Sequence, residues 1–104
     1  MNWKNNENQR FIQAILALDT ETEARRFLRD LMTENEIIEF AKRLQIAELL
    51  MKKIPYSKIE KETGFSSTTI ARVSQWLING EGGYKIVINK LHHQDSNRLG
   101  KGLS

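Results

Sequence analysis

The chain has 104 residues, enough for one domain that buries about two thirds of its unfolded surface, so its core is small and gains from a partner copy. At 39% hydrophobic and 28% charged, with no cysteine, it excludes disulfides and thiolate metal sites, and no apolar run approaches the roughly 18–20 residues that cross a bilayer, so no membrane partner is expected. The net charge of +3 is unevenly spread: residues 1–51 carry seven basic against nine acidic groups, residues 52–104 nine against four, which turns the second half toward a polyanion.

The N-terminus, Met1-Asn2-Trp3-Lys4, has no apolar signal core, and a cytoplasmic location is expected. Trp3 is read as a packing anchor for this arm. Helical periodicity then runs through the chain, and Pro55 is the only proline. A first helix over 6–18 places Phe11, Ile12, Ile15, Leu16 and Leu18 on one stripe. A second starts at Thr20, whose hydroxyl and Glu23 form a capping box, and carries Ala24, Phe27, Leu28 and Leu31 inward. Thr33 and Glu36 repeat that box and open the longest helix, 34–52. Its apolar residues, from Ile37 and Ile38 to Leu50 and Met51, cover more than one face, which predicts burial on more than one side and hence a homodimer.

Beyond Ile54-Pro55, Ser57 and Glu60 form a third box opening a short helix to Thr63, and Gly64 stands where a left-handed closing residue is needed. Ser66 caps the next helix, 67–79, closed by Gly80. Glu81-Gly82-Gly83 is a turn, and Tyr84, set against the core, opens a last helix to about residue 93. Residues 94–104 read as a flexible polar tail. The expected architecture is all-α, about six helices in one domain over 1–93.

Residues 55–79 have the parts of a helix-turn-helix. Ile59, Phe65, Ile70, Val73 and Leu77 can form the small core that fixes the angle between its helices, and Gly64 supplies the positive φ of the turn. The other face of the second helix carries Thr68, Arg72 and Gln75 and no carboxylate. Such a helix can enter a major groove end-first: Ser66, Ser67, Thr68 and Thr69 donate to phosphates or base edges, and Arg72 forks onto a guanine or a phosphate. Lys52, Lys53, Lys58 and Lys61 surround the motif and can neutralise the flanking DNA backbone. The reading is a sequence-specific regulator of transcription on double-stranded DNA, a repressor by preference. The alternative is a helical dimerisation or protein-interaction module without sequence-specific DNA binding.

Other signals are weaker. Adjacent residues on a helix diverge by about 100°, so His92 and His93 do not converge on a metal. Gly80, Gly82 and Gly83 lack the preceding strand and the following Gly-Lys of a phosphate loop. Asp19, Asp30 and the glutamates form no convergent pair for acid–base work, so no enzyme and no cofactor are expected.

From Leu31 to Leu77 the chain resembles the Trp repressor superfamily, and most closely its YerC/YecD-type branch of transcriptional regulators. The carrying residues are Leu31-Met-Thr-Glu-Asn-Glu36, Ala41-Lys-Arg-Leu-Gln-Ile-Ala-Glu-Leu-Leu50, Ile59-Glu-Lys-Glu-Thr-Gly64 and Thr68-Thr-Ile-Ala-Arg-Val-Ser74. The resemblance implies an intertwined homodimer whose two motifs read major grooves about 34 Å apart. It also implies a corepressor pocket, to which Thr33, Arg43 and Arg72 correspond. The family's glycine after the second arginine is Val73 here, and a small serine nearby is Trp76. Both would fill the pocket from within, so no response to tryptophan is expected. Arg43 and Arg72 are then free to make ordinary structural pairs with Glu39 or Glu48. Ser67 and Thr68 replace apolar residues of the repressor, and Glu60 replaces a lysine, so its operator does not carry over.

Overall fold

A computed structural model describes the backbone of residues 1–103 and the side chains of residues 1–97. It contains six helices: α1 (Asn6–Leu16), α2 (Glu21–Leu31), α3 (Glu34–Met51), α4 (Tyr56–Thr63), α5 (Ser67–Asn79) and α6 (Gly83–Leu103). No strand occurs among the described residues. The fold is the all-α one expected from the periodicity. The chain groups into two compact units, Met1–Ile38 and Glu39–Ser104. The physical reason lies in burial. Every buried residue described belongs to the second unit, and α1 and α2 bury none.

In the first unit, local hydrogen bonds define the helix ends. The Asn5 side chain accepts from the Asn8 N–H at 2.8 Å, and Asn8 in turn donates to the Asn2 carbonyl at 2.6 Å, folding the arm onto the start of α1. Trp3 then lines a recess with Gln9, Ile12 and Gln13. α1 stops at Leu16 rather than residue 18, with Ala17 as its last capping residue. At α2, Thr20 accepts from the Glu23 N–H at 3.1 Å, while the Glu23 carboxylate accepts from Asp19, one residue earlier than a strict capping box places it. The Thr33–Glu36 box is complete: the Glu36 N–H donates to the Thr33 hydroxyl at 3.1 Å and the Thr33 N–H to the Glu36 carboxylate at 3.0 Å. Hydrogen bonds from the Thr33 backbone and side chain hold Glu36 below its ordinary carboxylate pKa.

In the second unit, Ile46 and Ala47 of α3, Ile59 of α4, Ile70 and Val73 of α5, and Ile88 of α6 form one buried cluster. Leu44, Leu49, Leu50, Met51, Ile54, Phe65 and Tyr84 close around it. α5 is the central packing element, lying against both α4 and α6. α3 ends in a two-bond closure: the Lys53 N–H donates to the Leu50 carbonyl at 2.9 Å and the Ile54 N–H to the Leu49 carbonyl at 3.1 Å, with Lys53 at φ 61°.

Two further boundaries differ from expectation. α4 begins at Tyr56 with Pro55 as its N-cap and no side-chain capping bond, so the predicted Ser57–Glu60 box does not form. Proline's fixed φ, −63° here, leads directly into the helix and moves its start two residues upstream of the predicted position. α6 continues to Leu103 rather than ending near residue 93, because Gln94-Asp95-Ser96-Asn97 contains neither proline nor a left-handed residue to stop it. The side chains beyond residue 97 lie outside the described residues.

Candidate nucleic-acid interface

The helix-turn-helix is built from its core outward. Ile59 and Ile70 are fully buried and Val73 nearly so, while Phe65 and Leu77 are half-buried at the edge. Gly64 closes α4 at φ 74°, in the left-handed region that favours glycine, and its N–H donates to the Glu60 carbonyl at 2.9 Å. The Thr63 hydroxyl donates to the Ile59 carbonyl and accepts from the Phe65 N–H, tying the turn to the helix before it. The Lys42 ammonium stands 5.7 Å from the Phe65 ring centre, joining α3 to the same turn. These contacts hold α5 at a set angle to α4.

The outer face of α5 is exposed at Thr68, Arg72 and Gln75, and no acidic residue lies anywhere on that helix. Among the described residues no hydrogen bond or ion pair engages Arg72 or Lys61, and Lys58 makes only a loose 3.8 Å pair with Glu62. The four hydroxyls of the helix start divide into two sets. Ser66 accepts from the Thr69 N–H at 3.2 Å and bonds its hydroxyl at 2.9 Å, so both are engaged in capping. Ser67 and Thr68 are exposed and uncommitted.

A small cleft lies behind this face, lined by Glu39, Arg43, Thr69, Arg72, Val73, Trp76 and Tyr84. It brings together Arg43, Arg72, Val73 and Trp76. Thr33 belongs to the first unit, where its hydroxyl serves the cap of α3. Arg43 pairs with Glu39 at 3.5 Å, one of the pairings expected from spacing, and lies 5.4 Å over the Phe40 ring. Val73 fills its place, at 3% exposure, but Trp76 does not: the indole is 63% exposed and forms a wall of the cleft. The exposed indole therefore borders the cleft, while Val73 belongs to the buried cluster beside it. Tyr84 and Glu39 were not expected as cleft walls. The remaining volume, about 60 Å³, holds a few waters at roughly 10–15 Å³ each, far below the several hundred usual for ligand sites.

The fold and this site together define an all-helical regulator scaffold with a helix-turn-helix in its second unit. The model of the Trp repressor protein family matches residues 6–92, and the chain belongs to that family, one of DNA-binding regulators. It is 36% identical over 95 residues to YerC of Bacillus subtilis, an uncharacterised protein, covering 91% of each chain. Among solved structures it is similar to a TrpR-like protein of Eubacterium eligens, with 36% identity, a TM-score of 0.81, and coverage of 86% of this chain and 93% of that one. A Staphylococcus aureus protein described as a candidate Trp repressor matches with 32% identity and the same TM-score of 0.81, over 88% of this chain and 95% of the other.

Proposed function

We propose that the chain is a homodimeric regulator of transcription, by preference a repressor, that binds specific sites on double-stranded DNA without responding to tryptophan. The observation that carries this reading is the outer face of α5, exposed, free of carboxylates and presenting the unpartnered guanidinium of Arg72. The helix enters the major groove by its N-terminal end. Ser67 and Thr68 reach phosphates or base edges, Arg72 makes a two-pronged contact with a guanine edge, and Gln75 reads a base further along. Ser66 and Thr69 hold the end of the helix in shape for this contact. Lys58 and Lys61 contact the flanking phosphates.

Burial supports dimerisation. α1 and α2 have no buried residue, yet Phe11, Ile12, Ile15 and Leu28 are apolar, and Leu16 is 76% exposed. A second copy covers such a surface and sets two motifs about 34 Å apart on DNA. Bound across a promoter in the cytoplasm, on the nucleoid, the dimer blocks polymerase.

The test is selection of bound duplexes from a random pool, with Arg72→Ala as control. A two-fold symmetric site recovered by the wild type and lost in the variant is the expected result. No enrichment at low salt refutes the reading, and binding that ignores salt points to a protein-interaction module, because a dimer with about 6–10 phosphate contacts loses roughly 10³–10⁵ in affinity between 50 and 200 mM.

A further inference from the structure

Among the described residues, one residue other than glycine has a positive φ: Lys53, at 61°. It occupies the left-handed position of the closure that ends α3, bracketed by the Lys53-to-Leu50 and Ile54-to-Leu49 bonds. Glycine is the residue most often found there, because a Cβ in this conformation crowds the following carbonyl, and asparagine is the usual second choice. A lysine is therefore costly to the fold at this place. The C-terminal dipole of α3 is the one use the fold makes of its charge, a use Lys52 beside it also serves: the side chain is exposed and no hydrogen bond or ion pair to it occurs among the described residues. Its neighbour Lys52 is also exposed.

We propose that Lys53 is a DNA-phosphate contact, retained against the preference of its own backbone for glycine. The inference rests on the DNA-binding reading and adds a contact outside the recognition helix. A residue unfavourable for its own backbone position, whose side chain has no partner among the described residues, is accounted for by a ligand that uses it. The charge pattern names the ligand's chemistry: Lys52, Lys53, Lys58 and Lys61 fall within ten residues along the second unit, and a duplex backbone is a dense polyanion. The closure also fixes the Cα from which the ammonium extends. A phosphate takes a lysine as a point charge, so this contact positions the protein and carries no base preference.

The experiment titrates wild type, Lys53→Gly, Lys53→Asn and Lys53→Arg against a mixed-sequence duplex about three helical turns long, from about 50 to 200 mM salt, with a thermal melt of each protein. Lys53→Gly is expected to melt a few degrees higher than wild type while binding about fivefold to tenfold more weakly per chain at low salt. Its plot of log affinity against log salt should be shallower by about 0.9 per chain. Lys53→Asn, which tolerates the backbone, shows the same loss of binding and slope, and Lys53→Arg keeps both. Lys53→Gly with wild-type affinity and slope overturns the assignment, as does a Lys53→Gly protein that melts below wild type. If the wild type itself fails to bind the duplex at low salt, the DNA-binding reading falls and this inference with it, whereas wild-type binding with unaltered variants removes Lys53 alone.

Discussion

Addition of about 1 mM L-tryptophan is expected to leave the melting temperature of this protein unchanged to within about 1 °C. The cleft at Arg43, Arg72, Val73 and Trp76 retains about 60 Å³, against the roughly 300 Å³ and more of pockets that enclose small ligands. One of its two guanidiniums is already paired with Glu39 at 3.5 Å. The size of the contrary signal can be worked out. A site that bound tryptophan with a Kd of about 10 µM would be occupied at about a hundred times Kd, which stabilises the folded state by about 2.7 kcal/mol. For a domain of this size each kcal/mol moves the midpoint by about 4–8 °C, so the shift would be 10 °C or more. Differential scanning fluorimetry separates the two outcomes easily. A tryptophan-dependent rise of several degrees, saturating in the micromolar range, refutes the reasoning.

The other predictions concern the scaffold. Ile59→Ala deletes three buried carbons at the joint between α4 and α5; at about 0.8 kcal/mol each plus a cavity cost, the loss is about 3 kcal/mol, read by urea unfolding. Gly64→Ala meets no atom within 4 Å and costs only the left-handed conformation, about 1 kcal/mol, whereas a Cβ at Gly80 runs into the Trp76 carbonyl, so Gly80→Ala lowers the midpoint further in the same assay. Glu36, whose pKa is lowered in the folded state, stabilises the protein above the ordinary value of 4.5, and that contribution is lost as pH falls through the folded pKa. Melting temperatures measured at about pH 5 and about pH 3 should fall further for wild type than for Glu36→Gln, which keeps an acceptor but does not titrate there.

Much of the fold was legible because its signals are local. Thr20, Thr33 and Ser66 announce helix starts through hydroxyls that bond within three residues, and α5 begins and ends where sequence alone places it. The apolar spacing of Ile59, Ile70 and Val73 likewise declares a shared core. What was illegible depends on the backbone or on distant residues. Ser57 looks like a cap, yet Pro55, with its φ preset, takes that role. Lys53 carries no hint of a positive φ, since lysine is not a residue from which such a conformation is inferred. The cleft that Trp76 borders is completed by Tyr84 of α6 and Glu39 of α3, residues distant from it in sequence. Among the candidate contacts, the face of Thr68, Arg72 and Gln75 follows from helical spacing, whereas the division of the four hydroxyls into engaged and free pairs needed coordinates.

Ile88 gives the motif a dependence that its compact appearance conceals. The residue is fully buried beside Ile59 and Ile70, and it is supplied from beyond Gly80–Gly83, while Ile46 and Ala47 come from the opposite flank. The helix-turn-helix is thus not a portable cassette. A graft of residues 55–79 into another protein would carry over the candidate contacts from Ser66 to Gln75 and leave behind Ile46, Ala47 and Ile88, half of the buried cluster that sets their angle. On the proposed function, substitutions at the buried positions 46, 47 and 88 would alter DNA-site preference through the angle of α5 alone.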